Sequence, residues 1–568
     1  MARRLAAAAF AVVSLAGCTG VPARSGVHVV RKVSAEGPEL PETRIRRRAT
    51  SPRENAPPDE IVRGFLSAHG DTRNDRAIAR TYLAPQVSWN DDAGVTVVAA
   101  TPRTGRAAAR GDAATVPVTL ARIGTISPRG EFRAASAPAR AVTFRLTRVP
   151  SLGWRIAEAP PGVVLVRDEL AASYDRVTLY FPNQARRLVP QPMFLAASGQ
   201  NAGTVVRALL AGPAPWLAPA VRTAIPNGTE LIDPPSLVDG VVTLNFSREL
   251  RRASQEALAV VVAQLVWTLT EQEQVVAVRV LVEGETLAVP GHNGAREHRR
   301  RDFGDYAPVP ATGDPRLYFV RAGAPYALGP GGVARVATTP PVATLAVNRS
   351  GTTLAVVTRP AGGRQQLRLV DLTGADPDRT ALASQRIGTP SWEPDGQSLW
   401  VVHSSGGPQP QVVLVRPRGA PLAVASPVPG LTALRVSPDG SRAALVADGR
   451  LWVARIERSA AGGRILADAR VVAPSVTTVT AVAFDGAAQV VFTARERDRA
   501  VLYRVDVDGY DLVRQRDRLP RGTVTALGVS AALPAERVVS IGGRVWRRLP
   551  GDDWTALPGP GEAATYAG

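Results

Sequence analysis

Ser437-Pro438-Asp439-Gly440, followed by the apolar run Ala443-Ala444-Leu445-Val446, is the stretch that decides the fold. Proline presets the first turn position, aspartate bonds the backbone two residues on, and glycine supplies positive φ. The tetrapeptide is therefore a tight turn that feeds a strand. Related turns stand at Asn348-Arg349-Ser350-Gly351, Glu393-Pro394-Asp395-Gly396 and Phe484-Asp485-Gly486, with a degenerate copy near Ser530. Gly351, Gly396, Gly440 and Gly486 recur with a period of about 45 residues. After each turn comes an apolar strand: Leu354–Val357, Ser398–Val402, Ala443–Val446 and Val490–Thr493. Then comes a second: Gln366–Val370, Gln411–Val415, Arg450–Arg455 and Val501–Val505. A repeat of this length built only of strands is a β-propeller, whose blades bury their faces by stacking around an axis. Arg316 to Thr338 supplies strands ahead of the first aligned turn, and Glu562 to Gly568 supplies one more. Joining both ends in one blade leaves no open strand edge and gives six blades, with five or seven as the alternatives.

Upstream, residues 291–313 read as a polar linker containing Arg299-Arg300-Arg301-Asp302. Before it, residues 171–290 read as an α+β domain. Val177, Leu179 and Phe181 alternate as a half-buried strand, as do Val242, Leu244 and Phe246, and then Val276, Val278, Val280 and Val282. Thr204 to Leu210 is helical and stops at Gly212-Pro213. From Ser254 to Thr268, Leu258, Val261, Val262, Leu265 and Val266 trace one face of an amphipathic helix.

Several motifs of this stretch come in an informative order: Leu209-Leu210-Ala211-Gly212-Pro213, Ile225-Pro226-Asn227-Gly228-Thr229, Val238-Asp239-Gly240, Val242 to Ser247, and Gln264 to Thr270. Together they resemble the GerMN domain of sporulation and germination proteins. That resemblance implies a non-catalytic interaction module.

The first folded unit is assigned to residues 57–170. Pro57-Pro58-Asp59-Glu60 is a helix start, with acids favoured by the helix dipole, and Ile61, Phe65 and Leu66 share a face. A second short helix is expected from Asn74 to Tyr82. Antiparallel strands are expected at Val95–Ala99, Thr115–Ile123, Ala141–Leu146 and Trp154–Ile156. Trp89 and Trp154 read as packing residues. The fold class is thus multidomain: two α+β domains, the second GerMN-like, and then an all-β propeller.

The N-terminus carries an address. Arg3 and Arg4 precede an uncharged apolar stretch, Leu5 to Ser14, which is too short to span a bilayer. Residues 1–17 have the layout of a secretory signal peptide ending Leu15-Ala16-Gly17-Cys18. This ending resembles the bacterial lipobox. Cleavage is expected between Gly17 and Cys18, with Cys18, the only cysteine, carrying the lipid. Residues 18–56 read as a tether. Its basic run, Arg44, Arg46, Arg47, Arg48 and Arg53, suits anionic membrane lipid.

The net charge of +19 does not make a nucleic-acid binder: the arginines are spread along the chain and no binding motif accompanies them. Lys32 is the only lysine, a bias expected of a high-GC genome as much as of function.

Catalytic, cofactor and metal sites are not expected. His28 lies in the tether. His292 and His298 are six apart rather than four, and read as solvated linker residues. His403, beside Ser404 and Ser405, reads as a surface or turn residue and lacks a nucleophile elbow. The acidic turns Asp506-Val507-Asp508-Gly509 with Asp511, and Asp371 to Asp378, do not have the spacing of a calcium loop.

The order of lipobox, tether, α+β domain, GerMN-like domain, Arg-rich linker and propeller resembles the actinobacterial lipoprotein family LpqB over essentially the whole chain, including Leu557-Pro558-Gly559-Pro560-Gly561 and Tyr566-Ala567-Gly568. The resemblance implies a partner, the extracytoplasmic sensor domain of the histidine kinase MtrB, which acts on the response regulator MtrA in cell-envelope homeostasis and division. The alternatives are a receptor for a cell-wall fragment held in the propeller channel, and a propeller hydrolase or lyase acting on envelope polymers.

Overall fold

The computed structural model describes residues 49–568 apart from 72–75, 138, 198–201, 293, 312, 460–462, 517 and 533. Cys18, Gly17, His28 and the basic run Arg44 to Arg48 lie outside the described residues.

In the first module, helix Pro58–Ala68 starts on Pro57 in extended conformation and buries Ile61, Val62, Phe65 and Leu66. Of the described part of the expected second helix, Ala77–Arg80 is helical, starting after Arg76, which takes a left-handed φ of 52°. The sheet runs in the order Gly153–Glu158, Ala139–Val149, Ala113–Ile126, Val95–Val98, Val163–Val166. The four expected strands pair antiparallel; Val163–Val166 is a further strand, and its pair with Val95–Val98 is parallel, with Val95 opposite Val163. The cause is local. Pro160 and Pro161 cannot donate to a ladder, so the chain leaves the sheet and crosses back. Buried Trp89 holds that crossing, its indole N–H donating to the carbonyls of Pro160 and Gly162.

The second module opens with a hairpin, Tyr174–Pro182 with Leu188–Ala196. Val241–Phe246 then pairs in parallel with Ala277–Val282 across helix Gln255–Leu269. Ser254 caps that helix by accepting from Ala257 N at 3.2 Å. The helix is not the half-exposed amphipathic element the spacing suggested. Val260 to Val266 are all buried, because it lies between the hairpin, the sheet and residues 300–306. Val276 falls outside its strand and is 55 % exposed.

The stretch read as a linker belongs to this module. His298 exchanges both backbone hydrogen bonds with Val278, at 2.9 Å each, and is buried rather than solvated. Arg300–Tyr306 forms a 3-10 turn that drives Phe303 into the module's core. Phe303 in the core, Tyr306 packed against it and the His298 bridge anchor the segment.

The third module holds, among the described residues, six antiparallel sheets in chain order. Their inner strands are Glu562–Tyr566, Val342–Val347, Ser391–Trp392, Leu431–Val436, Val479–Asp485 and Val524–Val529. Each touches the next, and Val524–Val529 touches Glu562–Tyr566, so the ring closes. Closure is made by Leu317–Arg321 pairing with Glu562–Tyr566. The aligned turns, Gly351, Gly396, Gly440 and Gly486, all take positive φ and lie at one end of the ring.

Residues 46–568 form one compact unit. The GerMN-like module sits on the turn end of the propeller: Asn183 Nδ2 donates to Asp439 O at 2.7 Å, and Arg442 Nη2 to Pro190 O at 2.6 Å. Arg176 Nη2 lies 2.7 Å from Asp506 Oδ2 and 3.1 Å from Asp508 Oδ2. The first module joins through Glu131, 2.6 Å from Arg470, and through Phe132, whose ring meets Tyr510 edge-on at 5.2 Å. Gly509 makes this fit possible. It sits at φ 90°, and an added Cβ would stand 2.7 Å from the Ala134 methyl.

Candidate functional site

The residues singled out as catalytic or metal candidates turn out to hold the fold. His403 is buried inside a strand, not at the surface, because Ile387 pairs with it across the blade. Its Nδ1 is 3.1 Å from Ser384 Oγ, a serine distant in sequence, and that hydroxyl donates to Ser404 O at 2.6 Å. The serine proton is already committed to a carbonyl, so the pair clamps strands rather than activating a nucleophile. Burial lowers the His403 pKa. His298 is also lowered, by burial and then by His292, whose ring centroid is 5.9 Å away. His69 is buried between Phe65 and Trp89 and accepts from Val164 N at 2.9 Å. Burial, with Arg76 second, drives its pKa down to about 3.

The acidic turns are likewise occupied by protein donors. Asp371 accepts from the backbone N–H groups of Thr373, Ala375 and Asp376 at 2.8–2.9 Å, which pulls its pKa down to about 2. Asp506 and Asp508 hold Arg176. Among the described residues no group of three or more His, Cys, Asp or Glu is placed to hold a metal.

The channel mouth at the turn end is a cavity of about 160 Å³, walled by Arg349, Trp392, Arg435, Ser437, Asp485 and Tyr566. Arg435 reaches the carbonyls of Thr389 and Pro390, and burial holds its pKa near 10. Arg349 donates to the carbonyl of Pro310, so the chain entering the propeller lies across the mouth. Asp485 is engaged by Arg537 at 2.6 Å. Ligand pockets typically offer roughly 300–1,000 Å³. This mouth lies below that range.

The surface that does invite a partner is on the GerMN-like module. Ser236–Val238 is the edge strand of its sheet, paired only with Val241–Phe246 among the described residues. Asp239 and Gly240, with φ of 50° and 76°, make the tight turn between them. Ile232, Leu237 and Val238 on this edge, and Val276 beside Gly240 at its turn, are 45–64 % exposed, four of the nine exposed large apolar residues among those described. An open edge gives backbone donors and acceptors for an added strand, and its apolar side chains give contact area. The motif Val238-Asp239-Gly240 is legible in the sequence, but nothing in it signals that the strand before the turn is left uncovered.

Comparison with known proteins follows the same three-part division. Residues 51–171 match the family described as "Lipoprotein LpqB, N-terminal domain", residues 178–288 match "Sporulation and spore germination", and residues 328–565 match "Lipoprotein LpqB beta-propeller domain". The chain is 30 % identical to a "Lipoprotein LpqB" of Streptomyces coelicolor over 552 residues, covering 87 % of this chain and 86 % of that one. A "Lipoprotein LpqB" of Rhodococcus jostii is 27 % identical over 591 residues, covering 95 % and 94 %. Among solved structures, TolB from Acinetobacter baumannii is similar with a TM-score of 0.37 and 15 % identity, covering 46 % of this chain and 68 % of that one.

Proposed function

The chain belongs to the LpqB lipoprotein family, and on that premise we propose that it is a non-catalytic accessory protein that docks the extracytoplasmic sensor domain of an MtrB-like histidine kinase on the edge strand Ser236–Val238. The observation carrying this reading is the unpaired strand edge on which Ile232, Leu237 and Val238 are exposed, with Val276 exposed beside its turn. Soluble proteins seldom leave such a strip bare without a partner for it. The modules behind it are clasped together, so the strip is held rigidly and little ordering is lost on binding. In this reading Cys18 carries the lipid that holds the protein on the outer face of the cytoplasmic membrane, and the partnership modulates two-component signalling in envelope homeostasis and division.

The test is calorimetric titration of residues 46–568 with the soluble kinase sensor domain from the same organism. Leu237→Asp with Val238→Asp should weaken binding at least about tenfold, or ~1.4 kcal/mol, without altering the circular dichroism. Absence of binding by the unmodified protein, or binding indifferent to the double substitution, rejects the assignment. Separately, Cys18→Ala should release the protein from the membrane fraction; unchanged retention rejects the anchor.

A further inference from the structure

The end of the propeller opposite the GerMN-like module is strongly and locally basic. Three loops distant in sequence meet there. The hairpin turn between Gln489–Glu496 and Arg499–Asp506 carries Arg495, Arg497 and Arg499. The passage from the fifth sheet to the sixth carries Arg514, Arg516, Arg518 and Arg521. The turn between Arg537–Ile541 and Arg544–Arg548 carries Arg544. Their adjacency is direct: Arg514 Nη2 lies 3.3 Å from Glu496 Oε2, and a Cβ on Gly522 would stand 2.8 Å from Ile541 Cγ2.

Within this patch Glu496 is matched by Arg514, and Asp498 is the other described carboxylate. Apart from Arg514, none of these arginines has an ion-pair partner among the described residues, and all are exposed. The opposite end is built differently. There Arg442 faces Asp439, Arg537 faces Asp485, Arg547 faces Glu536 and Arg464 faces Glu393. The patch end holds the ion pairs Arg514–Glu496 and, further round the ring, Arg359–Glu562.

We propose that this end of the propeller is a docking surface for the anionic phosphate headgroups of the bilayer beside which a lipoprotein works. Guanidinium groups match phosphate geometry. None of the chain's exposed large apolar residues falls in these three loops, whereas protein interfaces need an apolar or aromatic centre. The surface therefore suits a headgroup layer met electrostatically, without insertion. It is independent of the kinase assignment, since the apolar strip lies on another module.

The test is co-sedimentation of residues 46–568 with phosphatidylcholine vesicles containing about 30 mol % phosphatidylglycerol, against phosphatidylcholine alone, at about 50 and about 500 mM salt. Binding should require the anionic lipid and fall at least about tenfold at the higher salt. Arg495→Glu, Arg499→Glu and Arg518→Glu together should lower it at least about tenfold while leaving the thermal transition in place. Arg103→Glu, Arg106→Glu and Arg110→Glu, exposed on the first module, impose the same charge change and should leave binding within about twofold. Equal sedimentation with both vesicles, or equal loss in the two triple variants, overturns the proposal. Retention on immobilised polyglutamate without binding to the anionic vesicles also overturns it, and would mark an acidic protein partner instead.

Discussion

Replacing Arg442 with methionine tests whether the modules are clasped or merely adjacent. Arg442 is 1 % exposed. Its guanidinium is 3.3 Å from Asp439 within the propeller and 2.6 Å from the Pro190 carbonyl of the GerMN-like module. Asp439 also accepts from Ser437 Oγ at 2.8 Å and Ser441 N at 2.7 Å. Removing one partner of a buried pair costs about 3–5 kcal/mol, because the other charge stays buried. The bond to Pro190 is charge-assisted, worth roughly 1.5–3 kcal/mol within that total. Arg442→Met with Asp439→Asn removes both charges and keeps the turn acceptor, so it should lose only about 1–2 kcal/mol. The pH dependence follows from Asp439, whose pKa burial already raises against the pull of Arg442. A carboxyl with a raised folded pKa lends stability at low pH and loses it as pH rises through that value. Without Arg442 the rise is larger, so the single variant should be most impaired near neutrality and recover on acidification. Denaturant unfolding of residues 46–568, followed by tryptophan fluorescence at about pH 7 and about pH 5, reads both effects. A loss under about 1 kcal/mol at neutral pH, a loss unchanged by acid, or a double variant as weak as the single one refutes the clasp.

Two further outcomes follow. His69 is buried and neutral with a pKa near 3, so the unfolded chain takes up its proton first as pH falls. The first module should therefore lose stability between about pH 6.5 and pH 3, on the order of 5 kcal/mol in all; His69→Gln should flatten that slope in acid unfolding curves, and an unchanged slope removes His69 as its source. Phe303 is buried in the GerMN-like core, so Phe303→Ala should cost about 3–5 kcal/mol. A cost near zero in denaturant titrations would return residues 291–313 to the status of a linker.

The propeller was legible because its information is local and periodic. Each Asp-Gly or Ser-Gly turn demands positive φ, and a shared period forces the turns to one end. The GerMN-like motifs were legible for the same reason. What escaped the sequence was long-range. Phe303 sits in a polar, arginine-rich run, and nothing local says that it inserts into a core already complete in outline. His403 finds Ser384 only after the blade folds. The acidic turn at Asp506 to Asp511 looked like a cation site because its counter-charge, Arg176, is more than 300 residues away. The arginine-rich end was hidden by its assembly from three loops: Arg514 to Arg521 is dense in arginine, but its meeting with Arg495 to Arg499 and Arg544 exists only in the folded ring.

The clasp, the apolar strip and the arginine end jointly make one further demand. The strip is on the GerMN-like module, the arginine end is on the propeller, and Arg442 and Arg176 tie the two modules together. A kinase sensor domain and the membrane that anchors it would then meet the strip and the arginine end, respectively, at a fixed relative placement. Two weak contacts held in register act as one, with gains of roughly 10²–10⁴ over either alone, and the gain disappears when the geometry is lost. Binding to a full-length kinase in anionic vesicles should therefore exceed binding to its soluble sensor domain by at least about tenfold. Arg442→Met should erase that excess while leaving binding to the soluble domain nearly unchanged, because it touches neither surface. If the variant instead keeps the excess, or weakens soluble binding equally, the modules act separately and rigidity is not what couples them.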